Sequence, residues 1–445
     1  MLFTTDKQTL EDLNIFGKYG SDAVYHIFNR TVTRGGAAVL EEMFQYPLTD
    51  EKAINRRSGI IQYFAAAGKD FPFPASYFDA IAPYLANTDE RSKLTGDAPN
   101  IARKISHLVA MDGDTVMIHK GIKALAALLK GMAQFISLLD IAAGHPYRLD
   151  KDAIDALLAA PDFAPVLALA GVAKLSQDQL VAYDTLFRFR HRPAIQRLLT
   201  YIYQLDVYLS VAKVGAARGF ASPKALPKER QVLNLQGVYH PQVKNAVPNN
   251  LHISPESNVL FLTGANMAGK STFMKSLSIA LFLAHMGFPV PARVMEFSAL
   301  DGIYTTINLP DNLGMGASHF YAEVLRVKKM AYELGQGKNL FIVFDELFRG
   351  TNVKDAYEAT IAITQAFARK RNSLFVISTH IIEAGEVLRE KCSNVRFLYL
   401  PTRMNGHHPV YTYTLAEGIT DDRHGMVIIH NEGILDMLKA GLHKK

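Results

Sequence analysis

Residues 261–272 read Phe-Leu-Thr-Gly-Ala-Asn-Met-Ala-Gly-Lys-Ser-Thr, an apolar run that closes on a glycine-bounded loop, a lysine and two hydroxyls. The pattern G-x-x-x-x-G-K-[ST] works only between a strand and a helix, so it imposes an α/β layer on whatever else the chain builds. Both flanks comply: residues 259–263 are nearly all apolar, and residues 271–285 have the composition of a long helix. In that setting the backbone N–H groups of Gly264, Ala265, Asn266, Met267, Ala268, Gly269, Lys270, Ser271 and Thr272 turn toward one anion. The helix N-terminus adds about half a positive charge at the same place. Lys270 brings a full charge to the β- and γ-phosphates of ATP, and the Ser271 hydroxyl is suited to ligate Mg²⁺.

Two further strand ends belong with this loop. Leu340–Phe344 is continuously apolar and runs into Asp345-Glu346. An acid at the end of a buried strand can hold Mg²⁺ through its water shell, which is the expected role of Asp345. Glu346 is then the general base for an attacking water. Leu374–Ser378 is also apolar and ends in Thr379-His380. A lone histidine is more often structural, but one strand beyond an Asp-Glu pair His380 can reach a γ-phosphate or its water.

At 445 residues the chain is too long for one core. Residues 1 to about 220 read as helical, with apolar spacing at Leu10, Leu13 and Phe16 and again at Ile195, Leu198, Ile202 and Leu205. Thr49 is a plausible helix N-terminus, residues 122–139 have the composition of a buried helix, and Gly144, Pro146, Pro161 and Pro165 mark breaks. The proline-bearing stretch 222–227 reads as a linker, and beyond it apolar strands at 259–263, 340–344, 374–378 and 410–415 alternate with helices, as in a parallel sheet covered on both faces. The expected fold is α plus α/β, a helical domain over residues 1–225 and a P-loop domain over residues 226–445.

Composition narrows the setting. With 49% hydrophobic and 20% charged residues, the chain is globular rather than disordered. Its start shows no signal-peptide pattern, and its best apolar run, residues 132–143, is broken by Gln134 and Asp140, so no membrane span is expected. A single cysteine, Cys392, cannot form an internal disulfide and fits a reducing cytoplasm. The net charge of +6 is spread evenly over both halves. The densest basic cluster, Arg188, Arg190, His191 and Arg192, reads as a solvated helix end rather than a nucleic-acid face.

Taken in order, the three strand-end motifs resemble the MutS family of ABC-type ATPases. Gly264 to Thr272, with Asn266-Met267 inside, is similar to that family's Walker A loop, and Asp345-Glu346 followed by Arg349-Gly350-Thr351 to its Walker B. Gly237 to Pro241 resembles the opening of the family's ATPase domain, and Gly287 to Ala292 the helix exit and next strand. Asp311-Asn312-Leu313, Gly316 to Phe320 and Glu323 resemble its signature loop and the helix after it. In the N-terminal half, Gln8 to Leu13, Asn29 to Thr33 and Pro47 to Asn55 resemble the start of the family's helical core, and Ala212 to Pro223 its end. The resemblance implies a homodimer with composite sites, in which Gly316 and Ser318 of one subunit meet the γ-phosphate held by the other. It also implies a clamp or switch in DNA repair or recombination.

Departures from the pattern qualify that expectation. Met315, Ala317 and His319 stand where the family carries Ser, Arg and Thr, and Ala265 and Ala268 replace a Pro and a Gly of the loop. The helical core begins at about residue 6, and residues 101–187 are few for long levers plus a DNA clamp. The mismatch-recognition, connector and clamp domains are therefore expected to be lacking. Three readings stay open: a DNA-acting clamp or motor, an ATPase switch answering a protein partner, and a nucleotide-binding scaffold with little turnover.

Overall fold

The computed structural model describes residues 2–17, 22–95, 111–171, 175–307, 319–405, 408–420 and 433–442. They form two compact units, one of Met1–Ile27, Phe44–Ser58 and Gly215–Lys445, the other of Phe28–Met43 and Gly59–Val214. The break expected at residue 225 thus lies inside the first unit, which also takes in two N-terminal stretches.

The second unit is helical. Met111–Ser137 and Ala75–Ala86 are its main pair, and they approach closely because Gly121 offers no side chain: a Cβ there would sit 2.2 Å from the Tyr84 Cβ. Ile195, Leu198, Ile202 and Leu205 line one buried face of Arg192–Arg218, as their spacing requires. The helix expected over 122–139 runs from Met111 to Ser137 and buries one face, with Ile122, Leu125, Leu129, Met132 and Ile136 inside and Gln134 exposed. Arg188 corrects the sequence reading. It is 2% exposed, in a π-helical segment Thr185–Arg190, and its Nε donates to Asp184 Oδ1 at 2.6 Å. Asp184 also accepts from the Tyr84 hydroxyl and the Leu94 amide. A guanidinium so deeply buried needs this pairing, and only its neighbour Arg190 keeps an exposed side chain.

The first unit carries the sheets. Its strands are β1 (Lys224–Leu226), β2 (Leu233–Val238), β3 (Asn249–Ile253), β4 (Val259–Gly264), β5 (Val294–Ser298), β6 (Gly302–Thr306), β7 (Leu340–Phe344), β8 (Leu374–Ser378), β9 (Val395–Leu400), β10 (Thr402–Asn405), β11 (His408–Tyr411) and β12 (Ala416–Glu417). The large sheet has the order β12-β9-β4-β8-β7-β6, parallel throughout except for β12. Its inner strands β4, β7 and β8 are buried at every position, which is why they read as unbroken apolar runs. A smaller sheet has the order β1-β5-β2-β3, and β10 and β11 form a separate hairpin.

Four local readings change. The stretch 222–227 holds the edge strand β1, parallel to β5, rather than a free linker. Its flanking prolines suit an edge, where a missing N–H costs no ladder bond. The run expected over 410–415 is strand only to Tyr411. The first helix, Lys7–Asp12, ends before Phe16 because Asn14 takes a left-handed turn at φ 49°. The helix Glu51–Ala67 is capped by Asp50, whose Oδ1 accepts from the Ala53 amide at 2.8 Å, and not by Thr49. At the outer side of β6, Thr4 pairs with Gly302, its amide donating to Asp301 O and its carbonyl accepting from Ile303 N. No helix among the described residues is long and apolar enough to cross a membrane.

His285 closes the helix Lys270–His285 and is fully buried. Its Nδ1 donates to the Leu48 carbonyl at 2.8 Å, which fixes the proton of the neutral ring on that nitrogen. Burial lowers its pKa from 6.5 to about 4, against the weaker opposing pull of the Leu48 carbonyl. Unfolded, the ring binds a proton below its ordinary pKa while the folded protein does not, so stability is complete above pH 6.5 and lost as pH falls toward 4. The loss is on the order of 3 kcal/mol. Urea midpoints measured across that window should fall more steeply in the wild type than in His285→Gln; parallel curves would refute the assignment.

Candidate nucleotide site

The site follows from strand order. β8 lies between β4 and β7, with Leu262 level with Ser378 and Phe344 level with Ile377. The residues just past all three strand ends therefore share one edge of the sheet. The chain leaves β4 at Gly264 (φ 147°), passes Met267 (φ 69°) and enters the helix at Gly269 (φ 99°), positions where left-handed backbone favours glycine. No side chain caps this helix, so its first N–H groups face the loop without one.

Lys270 is 6% exposed and donates from Nζ to the Gly264 carbonyl at 2.9 Å and the Ala265 carbonyl at 3.2 Å. Burial lowers its pKa, while Asp345 and Glu346 pull it back up. The Ser271 hydroxyl donates to Asp345 Oδ2, and Ser378 Oγ donates to Asp345 Oδ1 at 2.6 Å. Glu346 sits in left-handed backbone (φ 60°), with its amide donating to Ser378 Oγ at 3.2 Å. Its carboxylate accepts from His380 Nε2 at 2.8 Å and from Arg349 at 3.5 Å. The His380 bond lowers the Glu346 pKa, partial burial opposes it, and the charges of His380, Arg349 and Lys270 add to the lowering. Glu323 accepts from the Gly350 amide and so ties the turn after Glu346 to the helix His319–Gly335.

Of these groups Lys270, Ser271 and Glu346 open on a cavity of about 620 Å³, lined also by His240, Asn249, the rest of the loop from Ala265 to Phe273 without Ala268, and Tyr413. That volume is within the range of small-molecule sites. Asp345 and Ser271 present adjacent oxygens, a hard donor pair that fits Mg²⁺. The structure thus brings Gly264 to Thr272, Asp345, Glu346 and His380 to one place. Gly316 and Ser318, with Met315 and Ala317, lie outside the described residues. Sequence reasoning missed Ser378, whose hydroxyl touches both Asp345 and the Glu346 amide, and Tyr413, which had been read as part of a strand. The ring of Tyr413 packs on the loop: a Cβ at Gly269 would be 3.0 Å from its Cδ1.

Residues 8–212 match the family model for MutS domain III, and residues 260–438 match that for MutS domain V. The chain belongs to the MutS family. Domain V is the ATPase domain of that family and is of the ABC type. Its matched span starts inside β4 and takes in the phosphate loop, both acids, His380 and Tyr413. The stretches Gln8 to Leu13, Asn29 to Thr33 and Pro47 to Asn55, which resembled the start of the family's core, fall within the MutS domain III match, and that match ends at Ala212, where the stretch read as the core's end begins.

Proposed function

We propose that this MutS-family chain binds ATP with Mg²⁺ and hydrolyses it to ADP and phosphate. The observation that carries the reading is that Lys270, Ser271 and Glu346 line one cavity, with Asp345 hydrogen-bonded to Ser271 and His380 to Glu346. The Lys270 ammonium, now satisfied by two loop carbonyls, exchanges them for oxygens of the β- and γ-phosphates, supported by the N–H groups of the loop. Ser271 and Asp345 would hold Mg²⁺, which supplies charge neutralisation for the phosphates.

Glu346 is the general base. Its lowered pKa keeps it a carboxylate at neutral pH, ready to take a proton from water as the water oxygen attacks the γ-phosphorus and the bond to the ADP oxygen breaks. His380 donates to the same carboxylate and holds it in line, and it would sense the γ-phosphate from there. Tyr413 offers an aromatic face for the purine.

The chain would work as a homodimer, with Gly316 and Ser318 of the second copy completing each site, and as an ATP-driven clamp or switch in DNA repair or recombination. The family resemblance supports this part. Steady-state ATPase measurements over duplex, mismatched and branched DNA at fixed salt test it, since phosphate contacts are salt-sensitive. A several-fold stimulation by one DNA structure is expected. Turnover indifferent to every DNA would replace the DNA setting with a protein partner.

A further inference from the structure

β3 reads Asn249-Asn250-Leu251-His252-Ile253, and its period of two turns Asn249, Leu251 and Ile253 to the buried face. An amide among apolar inward positions is an anomaly that needs partners. Those of Asn249 are not its sheet neighbours. Its Oδ1 accepts from the Leu415 amide at 2.8 Å, and its Nδ2 donates to the Tyr413 carbonyl at 2.9 Å and to the Val247 carbonyl at 3.3 Å. Asn250 does something different, accepting from the Gly237 amide at the irregularity in β2.

The segment held by Asn249 lies between the ends of β11 and β12, where no ladder satisfies the backbone. Tyr413 there adopts φ 54°, a left-handed conformation that a tyrosine rarely takes unaided. In that conformation its ring covers Gly269 and lines the cavity, as Asn249 itself does. One buried amide thus grips the carbonyl of Tyr413 and the N–H two residues on, from an element 164 residues away in sequence.

We infer that Asn249 is a positioning residue for nucleotide selection: it clamps the Tyr413 backbone so that the ring stands ready over the phosphate loop to stack on the base of a nucleoside triphosphate. The inference rests on the nucleotide reading proposed above and adds to it the group that orients the base platform. Asn249 touches no reacting atom. Its loss therefore acts on how tightly the base is held and leaves the grip on the phosphates alone.

The test compares ATP with inorganic tripolyphosphate, which has the phosphates and no base. In Asn249→Ala the KM for ATP should rise about tenfold, the scale of one lost base–aromatic stack, with most of the loss in KM rather than kcat. The inhibition constant of tripolyphosphate should stay within about twofold, which also reports that the site is folded. Asn249→Asp, which keeps the acceptor for Leu415 and loses the donor to Tyr413, should fall between. In a Tyr413→Ala background, Asn249→Ala should add nothing further, because both changes remove the same platform.

Equal weakening of ATP and tripolyphosphate, unchanged ATP affinity, or full additivity with Tyr413→Ala would overturn the positioning role alone. Wild-type protein with no ATP binding that Lys270→Ala abolishes would overturn the nucleotide reading, and this inference with it.

Discussion

Glu346→Gln is expected to lower ATP turnover by about 10²–10⁴-fold, the range for removing a general base, while ATP stays bound. The amide keeps the size and the contact toward His380 but cannot accept the proton of the attacking water. Its neighbours give the prediction its direction. His380 Nε2 at 2.8 Å and the Arg349 guanidinium hold the carboxylate ionised, and Ser378 fixes its backbone. Single-turnover hydrolysis measured beside equilibrium ATP binding separates the two effects. Turnover within a few-fold of wild type would mean that another group takes the proton. Since the folded pKa of Glu346 is lowered, the wild-type rate should hold through neutral pH and decline only as pH falls into the carboxylate range.

Lys270→Ala should show the complementary pattern. Two charge-assisted bonds to phosphate are lost, each worth roughly 1.5–3 kcal/mol, so ATP affinity should fall by about 10²–10⁴-fold. Stability should change little by comparison. Of the two carbonyls that Lys270 now occupies, that of Ala265 belongs to a residue lining the cavity, where water can replace the ammonium. Titration calorimetry with Mg-ATP beside a thermal melt makes the comparison. Undiminished heat of binding in the variant would remove the lysine from the site, and with it the main support for the proposed activity.

The phosphate loop and the two acids were legible in the chain because phosphate chemistry leaves few residue types to choose from, and strands buried on both faces announce themselves as apolar runs. Tyr413 and Asn249 were not legible. Their relation spans 164 residues and depends on a side chain reaching backbone, which leaves no pattern in either local segment. Arg188 was misread for a related reason. A run of basic residues normally faces water; Asp184, four residues back, offered a local partner, but only the tertiary fold brings Ser92 and Tyr84 to bury the pair. The strand β1 was hidden by its prolines, which argue for a linker unless the strand's place at a sheet edge is known.

The pairing of Thr4 with Gly302 has a practical consequence. β6 is the last strand on its side of the large sheet, and Gly302 leaves no space for a side chain because the Thr4 carbonyl lies against it. The first few residues thus act as a seal on a boundary where amides and carbonyls would otherwise invite strands from other molecules. Expression tags or fusions that disturb residues 2–6 threaten solubility before they touch any chemistry.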